Sequence, residues 1–260
     1  MNDNLTLYFV NNPQGKDGYR HQQMDENFAT LIKRINPDIA HIGHLNHLST
    51  GLVDELNSLN IPIVFTLHDF WLMCPRGQFL TRSIGTNDNF KVCNKQEDKK
   101  CATDCYSVYS SGRLENKNDE IGRRQNWVHN RMLETKATIK KVNLFIAPSN
   151  YLRDRFINDF NVPADKIVYL DYGFPTEYLS QTEKSKEKTD YTFGYIGTHI
   201  PAKWVNILIE AFKQIEEKAA LKIFGRSNGQ STNALKVMVK TAKNKIEFAG
   251  IINKSADNLL

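Results

Sequence analysis

The run Thr66-Leu67-His68-Asp69-Phe70-Trp71 carries an imidazole beside a carboxylate, the pair of groups that acid-base and hydrogen-bond chemistry draws on. It directly follows the apolar stretch Ile61-Pro62-Ile63-Val64-Phe65, which reads as a strand buried on both faces. In an open parallel sheet ligands bind outside the carboxyl ends of the strands, so His68 and Asp69 point at a cleft rather than a core. The competing reading is that the two residues cap the next element and satisfy each other.

Three further groups carry chemistry. Cys74, Cys93, Cys101 and Cys105 fall in a stretch without periodicity, 72–112, with the spacing C-x18-C-x7-C-x3-C. Four thiolates would hold a structural zinc and replace the missing core of such a long loop. The spacing is not that of a paired C-x2-C knuckle, and free thiols, disulfides or an iron-sulfur centre are the alternatives. His41, His44 and His47 recur every third residue, but a strand sends such neighbours to different faces, which favours His44 lining the cleft over a metal site. Residues 119–141 form a long helix with Ile121, Val128, Met132 and Ile139 on a narrow apolar side and Arg123, Arg124, Arg131, Lys136, Lys140 and Lys141 elsewhere. That basic face suits anionic lipid or a phosphorylated acceptor, with a solvated charged face as the alternative.

The elements that must position these residues alternate between strand and helix. Leu5 to Val10 is a strand, followed by a helix with Met24, Phe28, Leu31, Ile32 and Ile35 on one face and Pro37 at its end. Ile39 to Leu45 is the next strand, and Ser49 or Thr50 caps a helix carrying Leu52, Val53, Leu56 and Leu59. After the long helix come the strand Val142 to Ala147, a helix capped by Ser149 or Asn150, and the strand Ile167 to Leu170, which ends at Asp171-Tyr172-Gly173-Phe174. The charged run 181–190 lacks apolar residues and reads as a linker. Beyond it lie the strand Tyr191 to Ile196, a loop from Gly197 to Lys203, a helix burying Trp204, Ile207, Leu208, Ala211, Phe212 and Ile215, the strand Ala220 to Phe224 ending at Gly225-Arg226, a further helix, and the strand Ile246 to Ala249. The expected organisation is α/β with two Rossmann-like parallel-sheet halves: 1–178, a linker at 179–190, and a partial second domain at 191–260 whose three strands leave apolar surface to cover.

With 260 residues, 40% hydrophobic and 24% charged, the composition is that of soluble globular protein. No apolar run reaches the roughly 20 residues of a membrane-spanning helix, and the start Met1-Asn2-Asp3-Asn4 lacks the basic and apolar regions of a signal peptide, so a cytoplasmic location is expected. A net charge of +5 is too mild to argue for nucleic acid.

TLHDFWLMCPRG at 66–77, APSNYLRDRF at 147–156, YGF at 172–174 and YIGTHIPAKWVNILIEAF at 195–212 together resemble the retaining glycosyltransferases of family 4, with the GT-B fold. The resemblance implies transfer of a sugar from a nucleotide-sugar to a glycan or lipid-linked acceptor, without a catalytic cofactor. It places Gly197, Thr198 and Lys203 on the donor diphosphate, Gly225 and Arg226 beside the nucleotide, His68 on the reacting sugar with Asp69 orienting it or the backbone, and Ser149 and Asn150 on the hinge side. Lys203 is expected at a helix start, where free N–H groups favour phosphate. The sequence departs from the family where Trp204 replaces a usual glycine and Thr198 a usual arginine. The family's first strand with its glycine-rich loop and its paired glutamates are also not visible. A non-catalytic reduced module that binds glycan, membrane or a partner chain is the alternative.

Overall fold

The computed structural model describes residues 5–9, 18–82, 90–105, 117–173 and 191–252. The chain divides into two compact units, one of Met1–Gly85 with Lys91–Phe174 and one that includes Pro175–Leu260. The expected linker at 179–190 lies outside the described residues, as do 83–89 and 106–112 of the expected cysteine loop.

The first unit is built on a four-stranded parallel sheet of order β1-β2-β5-β6, where β1 is Ala40–Ile42, β2 Ile63–Thr66, β5 Leu144–Ala147 and β6 Ile167–Tyr169. Helices α2 (Gly51–Ser58), α4 (Lys117–Lys141) and α5 (Asn150–Phe160) supply the crossovers that parallel pairing requires, and α1 (Gln22–Ile35) leads into β1 and packs against α2. In β2 the side chains of Ile63 and Phe65 are buried and Val64 is partly covered, as a strand with both faces packed demands. They join Leu67, Val53, Phe145 and Phe156 in one core. Burial of each such side chain contributes on the order of 1.5–3 kcal/mol. Asn36, in the left-handed region at φ 45°, closes α1 by donating its N–H to Ile32 O.

Several expectations are corrected here. Leu5 to Phe9 carry no strand and are exposed, because no neighbour completes a ladder for them among the described residues. The stretch after Trp71 is not structureless: β3 (Leu80–Arg82) and β4 (Phe90–Val92) pair, and the short helix α3 (Asp98–Lys100) runs into a π-turn at Cys101–Cys105. The basic surface of α4 is smaller than its composition implies. Arg131 is only 1% exposed and stacks 4.4 Å above the Trp71 ring while donating to the Trp71 carbonyl, and Arg124 is buried against Glu120. Lys141 pairs with Asp54.

The second unit has a three-stranded parallel sheet, β7 (Tyr191–Ile196), β8 (Ala219–Phe224) and β9 (Lys245–Gly250), in that order. Helices α6 (Val205–Phe212) and α7 (Gly229–Met238) connect the strands, and Val205, Ile209, Phe212, Leu221, Ile223 and Leu235 form the core. The expected stripe of α6 is rotated. Trp204 adopts φ 56°, which ends a 3-10 turn at Pro201–Lys203 and resets the helical phase, leaving Ile207 53% and Trp204 38% exposed. Glycine enters that backbone region without strain, whereas Trp204 carries a full side chain through it. None of the helices among the described residues is long and apolar enough to cross a membrane.

Candidate functional site

In the first unit the chemistry-bearing side chains collect at the carboxyl ends of β1, β2 and β6. Asp69 Oδ1 accepts the Trp71 N–H at 2.7 Å, the Phe70 N–H donates to Gly77 O at 2.9 Å, and the Gly77 N–H donates to Cys74 O at 2.8 Å. Gly77 sits at φ 77°, and a Cβ there would come within 3.2 Å of Asp69 Oδ2. The run from His68 to Gly77 therefore folds back on itself around the Asp69 carboxylate, which explains an aspartate at its start and a glycine at its end.

Asp69 serves the backbone and His44, not His68. His44 Nε2 lies 3.3 Å from Asp69 Oδ2, while His44 Nδ1 accepts the Asn46 N–H at 2.8 Å. A ring nitrogen that accepts leaves the other to donate, so His44 turns its Nε2–H to Asp69. The partner of His68 is Tyr172, at the end of β6: Nδ1 and the phenol oxygen are 2.7 Å apart, and the rings are 5.5 Å apart and nearly parallel at 10°. Partial shielding from water, with the carboxylates of Asp69 and Asp171 nearby, raises the Tyr172 phenol above its usual range and keeps it protonated. The sequence offered Tyr172 only as part of a short motif, with nothing to indicate its contact with a histidine 104 residues away. His41 turns to Thr66, 2.7 Å away, so the three histidines of β1 and its loop do not converge. Ser149 caps α5, accepting the Leu152 N–H at 3.2 Å, and Asn150 is the exposed first residue of that helix.

The four cysteines are buried and free. Among the described residues no group of three or more His, Cys, Asp or Glu side chains is placed to hold a metal ion, so the expected structural zinc finds no support there. The thiols lie near one another in the buried interior of the first unit: Cys93 Sγ donates to Lys95 O at 3.1 Å, and burial, with the other three thiols nearby, pushes the Cys101 thiol up to about 12.

In the second unit Gly197, Thr198, Gly225 and Arg226 come together at the carboxyl ends of β7 and β8. The Gly197 N–H donates to Phe224 O at 3.0 Å, the Gly225 N–H to Gly250 O at 2.7 Å, and the His199 N–H to Arg226 O at 3.3 Å. Gly225 has φ 145°, and a Cβ there would stand 1.8 Å from Gly197 O, so the two loops cross at a point with no room for a side chain. Lys203 is exposed, but its N–H is taken by Ile200 O in the 3-10 turn, and α6 begins only at Val205. The expected free N–H groups at Lys203 itself are thus corrected, leaving its ammonium as the available group. His199, a residue the sequence placed only in a loop, is 2% exposed, meets Thr232 Oγ1 at 3.3 Å and packs edge-on to Phe248. Burial and Lys236 lower its basicity, so it stays neutral beneath the loop.

A glycosyltransferase from Rickettsia africae is similar in fold, with a TM-score of 0.51 at 15% identity over 89% of this chain and 51% of that one. HepE of Anabaena in complex with UDP and glucose has a TM-score of 0.51 at 15% identity over 94% of this chain and 55% of that one. The chain spans about half the length of these solved structures. The architecture is α/β with parallel sheets, that of the GT-B glycosyltransferases. No curated protein matches the chain. The pattern of Glycosyltransferase Family 4 matches residues 3–178, well over half of the sequence, and the chain belongs to that family.

Proposed function

We propose that this chain transfers a hexosyl group from a nucleotide-sugar to a glycan or lipid-linked acceptor with retention of configuration. The observation that carries the reading is the gathering of polar groups at strand carboxyl ends in each unit: His44, His68 and Asp69 in one, Gly197, Gly225 and Arg226 in the other. In this reading 1–178 receives the acceptor and 191–260 the donor, joined by 179–190. His68 is the group at the reacting sugar, with Asp69 building its loop. Gly197, Thr198 and Lys203 take the diphosphate, Gly225 and Arg226 flank the nucleotide, and His44, Ser149 and Asn150 line the acceptor side. The work is cytoplasmic, with contact to anionic lipid through the exposed Arg123, Lys136 and Lys140 of α4. Catalysis uses hydrogen bonds and the lysine charge. A thermal-shift screen with UDP- and GDP-sugars tests this. A ligand at a hundred times its Kd stabilises the native state by about 2.7 kcal/mol, and Lys203→Ala should weaken the shift. Failure of every nucleotide-sugar to raise Tm defeats the proposal.

A second reading, a non-catalytic module that binds a partner chain, draws support from an apolar groove of about 1000 Å³ lined by Leu5, Tyr8, Phe28, Ile32 and Ile39 beside β1. Among the described residues β1 pairs only with β2. Transfer activity appearing only when a second polypeptide is added favours that reading; full activity of the chain alone removes it.

A further inference from the structure

We propose that Tyr172 is a positioning residue for His68: its hydroxyl donates to Nδ1 and holds the imidazole in the tautomer whose Nε2–H is offered to a substrate oxygen. The inference rests on the transferase reading for the identity of that substrate, and on geometry for the rest. Asp69, the expected orienting group, is occupied by the Trp71 N–H and by His44. The Tyr172 oxygen stands 2.7 Å from Nδ1, and the near-parallel rings fix the imidazole plane as well as its proton. Among the described residues neither side chain has another hydrogen-bond partner. A phenol is a strong donor and a weak acceptor, whereas an unprotonated imidazole nitrogen is a strong acceptor, so the proton between them belongs to oxygen. One ring nitrogen then accepts and the other must carry hydrogen. Nε2 is left open by Gly43: a Cβ built there would meet Nε2 at 4.0 Å, and a longer side chain would cover it.

Long-range proton-nitrogen NMR spectra of the ¹⁵N-histidine-labelled chain test the proposal, with His68→Gln identifying the signal. The wild type should show His68 almost wholly as the Nε2–H tautomer, and Tyr172→Phe, which keeps the ring, should move it toward the mixture of free imidazole. In a transfer assay Tyr172→Phe should lower kcat about three- to tenfold, the weight of one hydrogen bond, with the donor KM within about twofold. An Nδ1–H tautomer in the wild type, or a ratio that Tyr172→Phe leaves unchanged, overturns the proposal, and so does an unaltered kcat. A wild type silent with every nucleotide-sugar refutes the transferase reading alone, and the tautomer ratio then decides on Tyr172 by itself. Tyr172 is 55% exposed, so the substitution leaves the core intact.

Discussion

Replacing Gly225 by alanine tests how the second unit builds its loops. The new Cβ would stand 1.8 Å from the Gly197 carbonyl oxygen and 2.6 Å from its carbon, and both are backbone atoms that cannot swing aside. The residue would also have to keep φ 145°, a region that costs a side-chain-bearing residue about 1–3 kcal/mol. Moving the two loops apart costs a further ~1–3 kcal/mol, as overpacking usually does, and disturbs the bond from Gly225 N–H to Gly250 O. The sum, about 2–6 kcal/mol, is a large share of the roughly 5–15 kcal/mol that holds a domain together. In a unit of this size each kcal/mol moves Tm by about 4–8 °C, so Gly225→Ala should melt about 8 °C or more below the wild type by circular dichroism. Gly194, in β7, is the control: a Cβ there meets nothing within 4 Å, and Gly194→Ala should be neutral or slightly stabilising. If Gly225→Ala melts with the wild type, the two glycine loops do not cross as described, and the proposed diphosphate site loses its geometry.

Two other outcomes follow from buried groups. His199 is less basic in the folded chain than its usual value of about 6.5, so below that pH the unfolded chain takes up the proton first and stability falls with acidification. His199→Leu should therefore shrink the Tm difference between pH 7.5 and pH 5, and an unchanged difference refutes the assignment. The four cysteines should resist iodoacetamide at pH 8 in the native protein and react only on unfolding, Cys101 above all, and a chelator should leave Tm unchanged. Stoichiometric zinc whose removal lowers Tm would contradict the free-thiol description.

Much of the frame was legible because it follows from local patterns. The buried run at 61–65, the Ser149 cap and the strand Tyr191–Ile196 stand where periodicity and capping chemistry put them. The phase of α6 was not legible, because one residue, Trp204, takes a left-handed conformation that hydrophobic spacing does not encode. Nor was the burial of Arg131: a composition count treats every arginine as solvated, and only the packing of α4 against Trp71 supplies a ring and a carbonyl for this one. The strand expected at Leu5 failed for the complementary reason, since a strand exists only where a neighbour offers its backbone groups.

The same division holds at the site. Residue type and order alone determined that a histidine and an aspartate follow a buried strand, that two glycines end the strands of the second unit, and that the chain resembles Glycosyltransferase Family 4. Which group holds the histidine was decided by tertiary structure. Asp69 is adjacent in sequence but is held by the loop it caps, whereas Tyr172, three residues past the end of a strand two places away in the sheet, arrives within hydrogen-bond distance. Parallel strands bring distant carboxyl ends to one edge, and sequence adjacency carries no information about that meeting.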